Sequence, residues 1–168
     1  MARISADQAG GSNVLAFLDM IGASEGTVRS PITQCDGYDV IVTGSDGQPE
    51  IFDDFRQHPF AGGRKPKHIR GALYSTAAGR YQHMRVHWSY YRDLLKLPDF
   101  GPVSQDRWAI QLIRERRALA DIQAGRLESA ISKVKNLWAS LPGAGYAQPE
   151  HSLDDLAAHF IAAGGRLA

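Results

Sequence analysis

A single cysteine, Cys35, rules out an internal disulfide, so the fold must hold by packing alone, as expected of a protein made and stored in a reducing cytosol. No uninterrupted apolar run approaches the roughly 18 residues of a membrane span, which excludes an inserted helix. The opening Met1-Ala2-Arg3-Ile4-Ser5-Ala6-Asp7 is polar and shows no signal-peptide pattern. Nucleophile-elbow, phosphate-loop and dinucleotide fingerprints are missing, as are internal repeats. Acidic residues are absent between Asp54 and Asp93, where Arg56, Arg64, Lys65, Lys67, Arg70, Arg80, Arg85 and Arg92 stand. That imbalance suits an anionic polymer, or a solvated face whose counter-charges come from elsewhere in the fold. A formal net charge of +1 gives no global attraction to nucleic acid, and no nucleic-acid motif accompanies the basic stretch.

What is present describes an ordinary globular protein: 168 residues, 43% hydrophobic and 22% charged, enough for one domain over 1–168 with a substantial core. Residues 1–11 read as a frayed start. Ser12 or Asn13 then caps a helix whose apolar positions Val14, Leu15, Phe17, Leu18 and Ile21 keep helical spacing to about Ser24. Tyr38-Asp39-Val40-Ile41-Val42-Thr43 reads as a strand, turned at Gly44-Ser45-Asp46-Gly47 toward a partner at Ile51-Phe52. Residues 57–76, with Pro59, Gly62, Gly63, Pro66 and Gly71, read as a long loop. Helices are expected over Arg80 to Leu97, Ser104 to about Ala124 and Arg126 to Trp138. A last helix opens on a Ser152/Asp155 capping box and ends at Gly164-Gly165. The class is a mostly helical α+β domain with a small antiparallel sheet.

Glu25 is the chemically informative residue. It closes a core-facing helix among apolar neighbours, where desolvation raises a carboxyl pKa and leaves a group able to protonate a leaving oxygen near neutral pH. Asp36, Asp39, Asp46, Asp53 and Asp54 fall in the sheet region, and any of them beside Glu25 could serve a hydrolase as nucleophile or base. His83 and His87 have ligand spacing, but no third ligand or glutamate follows, so no metal or other cofactor is expected. Arg114-Glu115-Arg116-Arg117 reads as a solvated helix face, and Trp138 as core, in register with Ile131 and Val134.

The runs Ala16-Phe17-Leu18-Asp19-Met20, Ser24-Glu25-Gly26-Thr27, Gly37-Tyr38-Asp39-Val40-Ile41-Val42, Ala78-Gly79-Arg80-Tyr81-Gln82, Ser104-Gln105-Asp106 and Trp138 to Tyr146 resemble those of the lambda-type endolysin family. The likeness spans about residues 14–165. It implies a lysozyme-like fold, mostly helical with a small antiparallel β-sheet lining a cleft, and a lytic transglycosylase with Glu25 as catalytic acid. It also implies peptidoglycan glycan strands as partner, and a monomer that waits in the host cytoplasm until a holin admits it to the periplasm. Beside Glu25, the substrate-binding candidates are Gln82, Tyr146, Asp39, Tyr81, Asn136 and Gln148. Gln82 can both donate to and accept from an N-acetyl group, and Gly79 lets backbone approach a sugar. Arg80 reads as structural. Asp36 departs from the family pattern, which has histidine there. A hydrolytic muramidase, or a non-catalytic binding or tail protein, are the rival readings.

Overall fold

The computed structural model describes residues 1–145 and 150–168. Its elements follow the order α1 (Ala6–Ala9), α2 (Ser12–Ser24), β1 (Val40–Ile41), β2 (Glu50–Ile51), β3 (Lys67–Arg70), β4 (Leu73–Ser75), β5 (Ala77–Ala78), β6 (His83–Met84), α3 (Trp88–Leu95), α4 (Pro102–Glu115), α5 (Leu119–Gln123), α6 (Leu127–Val134) and α7 (Leu153–Ala162). The architecture is α+β, as the sequence implies, with small antiparallel sheets. By contacts, the chain divides into two compact units: Met1–Glu25 with Asp106–Ala168, and Gly26–Gln105.

The first unit is helical and built around α2. Val14, Phe17, Leu18, Met20 and Ile21 are fully buried along it, and α2 packs against α1, α5 and α7. Each large apolar side chain removed from water contributes about 1.5–3 kcal/mol, so this helix is fixed by its neighbours rather than by local propensity. Neither Ser12 nor Asn13 caps it: Gly11 occupies the cap position, with no side-chain cap bond. Asn13 is used otherwise, its amide donating to the carbonyl of Arg166 at 3.0 Å and its Oδ1 accepting the Arg166 N–H at 2.9 Å.

The expected frayed start is corrected. Residues 6–9 form α1, opened by a Ser5/Gln8 capping box. Asp106 Oδ2 accepts the N–H groups of Arg3 (2.7 Å) and Ile4 (2.8 Å), and Ile4 is buried. A buried carboxylate that finds two backbone donors pins the chain end by charge-assisted bonds.

The single helix expected from Ser104 to Ala124 is two. Pro102 supplies the first helical position of α4, and α4 ends when Arg117 turns left-handed at φ +56°. Ala118 N–H then reaches back to Ile113 O at 3.1 Å and Arg117 N–H to Arg114 O at 2.9 Å, a Schellman closure without glycine. The Ser152/Asp155 capping box opens α7 as expected.

The second unit carries the sheets. β1 pairs with β2 in register Val40↔Ile51, as the hairpin signal indicated, and the four-stranded sheet runs β2-β1-β5-β6. The expected loop 57–76 holds a second hairpin, β3 with β4. The helix expected from Arg80 begins only at Trp88. Residues 79–82 instead turn between β5 and β6, with Arg80 and Tyr81 buried in the turn and His83 buried in β6. Buried Gln105 ties this unit together: Oε1 accepts the Arg80 N–H at 2.9 Å, and Nε2 donates to Tyr38 O at 3.0 Å and Phe100 O at 2.8 Å. Gly79, at φ +79°, makes that possible, since a Cβ there would stand 2.1 Å from Gln105 Oε1.

Part of the basic stretch finds its counter-charges locally. Arg64 meets Glu50 at 2.9 Å, Lys67 bonds the same carboxylate, and Arg56 meets Asp54 at 2.6 Å. These exposed or partly exposed pairs contribute little stability each.

Candidate active site

Glu25 stands at the C-cap of α2, as the apolar periodicity required, with its N–H still bonded to Ile21 O at 2.9 Å. Gly26 follows at φ +72°, which lets the chain leave the helix directly after the carboxyl-bearing residue. Glu25 is half-buried. Burial pushes its carboxyl above the usual carboxylate range; the hydroxyl and backbone N–H of Ser140 and the nearby His151 ring pull the other way without prevailing.

Ser140 Oγ lies 2.6 Å from Glu25 Oε1 and 3.0 Å from Ser24 Oγ. His151 braces both serines: its backbone N–H donates to Ser140 O at 2.9 Å, and its ring Nε2 donates to Ser24 O at 3.1 Å. The ring nitrogen must carry the proton there, because a carbonyl only accepts. Glu150 holds the neighbouring glycine loop, accepting the N–H groups of Gly143 (2.7 Å) and Gly145 (3.0 Å). Ser24, Ser140 and His151 were not singled out as site residues from sequence. Ser140 lies within the Trp138 to Tyr146 run, so the signal was present, but the contact joins residues 115 positions apart.

The other candidates fall in three places. Asn136 is exposed in the turn after α6, in the same unit as Glu25. Asp39, Tyr81 and Gln82 belong to the second unit. Asp39 is 3% exposed and committed to its own loop, with Oδ1 accepting from Thr33 Oγ1 and Oδ2 from the Gln34 N–H at 2.7 Å. Tyr81 is 1% exposed and packs edge-on to Tyr38 with ring centroids 6.2 Å apart. Both are buried groups that shape their unit, Asp39 through its loop and Tyr81 through its packing. Gln82 is half-buried at φ +50°, and its amide folds back to Gly79 O at 3.0 Å. Tyr146 and Gln148 lie outside the described residues.

Arg80 is buried, with its guanidinium over the Tyr38 ring at 5.2 Å and Nη1 on the Asp36 carbonyl, a structural role. His83 is not paired with His87 on one helix: it is a buried β6 residue with Nε2 on Gln105 O at 3.2 Å, whereas His87 is exposed before α3. Among the described residues no cluster of histidine, cysteine and carboxylate ligands assembles for a metal. Among them, too, no helix is long and apolar enough to cross a membrane.

The overall structure is similar to that of bacteriophage lambda lysozyme complexed with a chitohexasaccharide, with a TM-score of 0.83 and 44% identity over the whole of both chains. A second structure of the lambda lysozyme gives a TM-score of 0.79 at the same identity and coverage. The fold, with a shielded carboxyl at the end of a core helix, thus defines a lysozyme-like phage enzyme. Residues 15–167 match the family model described as Endolysin. The endolysin of Escherichia phage P2 is 60% identical over 154 residues, 91% of this chain and 93% of its own. The endolysin of Escherichia phage lambda is 49% identical over 151 residues, 89% of this chain and 90% of its own. This chain belongs to the endolysin family, enzymes that act on peptidoglycan.

Proposed function

We propose that this endolysin is a lytic transglycosylase, cutting the β-1,4 bond between N-acetylmuramic acid and N-acetylglucosamine and leaving 1,6-anhydro ends. The observation that carries the reading is the state of Glu25: a half-buried carboxyl, raised by burial and held by Ser140. A carboxyl so held is protonated over a wider pH range than a solvated one and can donate to the glycosidic oxygen. As the bond to C1 breaks, the muramic C6 oxygen closes onto C1, and the Glu25 carboxylate takes the C6 hydroxyl proton. Donor and acceptor are then restored, and water is not consumed. Because the nucleophile is part of the substrate, its effective concentration is high and one carboxyl suffices.

The commitment of Asp39 to Thr33 and Gln34 argues against that residue as a hydrolytic partner, which must be free to meet water or the sugar. The bound chitohexasaccharide of the lambda lysozyme supports a glycan chain as ligand. We assign Gln82 and Asn136 to sugar recognition, together with Tyr146 and Gln148. Access to the wall would follow holin action on the inner membrane. The test is Glu25→Gln, which keeps shape and hydrogen bonding but cannot donate an acid proton: lysis should vanish while binding to glycan strands survives. Full lysis by that variant would end the proposal.

A further inference from the structure

Glu25 Oε1 is the carboxyl oxygen on which hydroxyls converge, and the Ser140 N–H also bonds this carboxyl. The serine hydroxyls converge on Oε1: Ser140 Oγ lies 2.6 Å from it, Ser24 Oγ lies 3.0 Å from Ser140 Oγ, and Ile21 O lies 3.0 Å from Ser24 Oγ. A hydroxyl has one proton, so this chain has a direction. In one direction the carboxyl donates to Ser140, Ser140 to Ser24 and Ser24 to Ile21 O. The acid proton is then spent inside the protein and cannot reach a substrate. In the other, Ser140 donates to Oε1, and Ser24 either keeps its proton on Ile21 O or turns it to Ser140.

The second direction leaves no buried acceptor unsatisfied. Ile21 O already takes the Glu25 N–H at 2.9 Å, so Ser24 can turn its proton away from that carbonyl. With its lone pair filled by Ser24, Ser140 is polarised as a donor, and hydrogen bonds in such a chain strengthen one another. His151 keeps the geometry, because its backbone and ring hold the carbonyls of Ser140 and Ser24. It is also the titratable group whose charge acts on Glu25.

We propose that Ser24 and Ser140 form a directional hydroxyl chain that holds Glu25 Oε1 as an acceptor, so that the acid proton is carried on Oε2, and that Ser140 is a positioning residue for proton transfer. The proposal deepens, and rests on, the reading of Glu25 as the acid. Moving between the two chain directions takes only rotation of hydroxyls and of the carboxyl proton; no covalent bond to the substrate is involved.

The test compares pH–rate profiles on soluble glycan fragments for the wild type, Ser140→Ala, Ser140→Thr and Ser24→Ala, with Glu25→Gln as reference. Ser140→Ala should lower kcat roughly 10- to 100-fold with KM within about twofold. It should also move the basic limb of the profile to higher pH, since a donor that favours the carboxylate is lost. Ser140→Thr keeps the hydroxyl and should recover most of the rate and the position of the limb. Ser24→Ala should shift both in the same direction by less. Should Ser140→Ala fail to fold, Ser140→Thr and Ser24→Ala decide the matter. Wild-type kcat and an unmoved limb in Ser140→Ala, or in Ser24→Ala if that variant alone is folded, would overturn the proposal while an inactive Glu25→Gln left the acid in place. Threonine as impaired as alanine would overturn it too. An active Glu25→Gln would instead remove the reading beneath it.

Discussion

Lowering the pH from 7 to 5 should cost this protein about 4 kcal/mol of folding stability, through two histidines of the second unit. His58 and His83 are 0% and 3% exposed. The His58 ring lies 4.6 Å from that of Phe100, its Nε2 donates to His83 O at 2.9 Å, and its Nδ1 accepts the Phe60 N–H at 3.3 Å. Both nitrogens are thereby assigned, and the ring is neutral. His83 donates from Nε2 to Gln105 O. Burial, reinforced by Arg85, lowers His58 from 6.5 to about 4; burial, reinforced by His58, lowers His83 from 6.5 to about 3. A depressed histidine pKa means that the unfolded chain takes up protons first as the pH falls. Stability is therefore full above about pH 6.5 and declines as the pH drops toward the folded values. pH 5 lies about 1.5 units below the unfolded pKa, while each ring is still neutral when folded, a loss of about 2 kcal/mol each.

Urea unfolding at pH 7, 6 and 5 measures this directly. It is best done in Glu25→Gln, because a carboxyl with raised pKa acts in the opposite sense, gaining stability as the pH falls. The carboxylates with lowered pKa interfere little, since Asp54 and Asp121, each held at about 2 by cationic partners, lose their contribution mostly below the window. His58→Gln, which keeps a donor for His83 O, should halve the dependence. Stability constant to within about 1 kcal/mol from pH 7 to 5 would refute the argument.

Glu25→Gln should also be more stable than the wild type at pH 7, because a carboxyl whose pKa folding raises costs stability above its unfolded pKa; the urea midpoint reads this. Gln105→Ala removes three buried hydrogen bonds, to the Arg80 N–H and the carbonyls of Tyr38 and Phe100, and should cost about 3 kcal/mol or more, seen as a lowered Tm. Asp106→Ala should cost about 1–3 kcal/mol and speed amide exchange at Arg3 and Ile4 far more than in α7.

The parts of the fold legible in the sequence are those with a local physical signature. The apolar spacing of α2 located Glu25 at the helix end, a serine and an aspartate three apart opened α7, and β-branched residues before Gly44 gave β1 and its hairpin. What escaped notice depends on partners distant in the chain or on unusual backbone. β5 is two alanines, held by β1 and by the turn that Gln105 anchors, with no side-chain pattern of its own. The turn at 79–82 buries Arg80 and Tyr81 in succession, with no strand alternation to announce it, among residues that also suit a helix. α3 and α4 end on left-handed Lys96 and Arg117, residue types that carry no stop signal of their own. At the site, Glu25 was legible and Ser140 was not, because helix periodicity reveals a carboxyl's placement but not what the chain brings to it from residue 140.

The central claim is that Glu25 drives an intramolecular closure rather than hydrolysis. Digesting purified peptidoglycan in oxygen-labelled water and weighing the muropeptide ends by mass spectrometry tests it most directly. The account predicts 1,6-anhydro-N-acetylmuramic acid ends, one water lighter than reducing ends and free of label. Reducing ends carrying the label would contradict it.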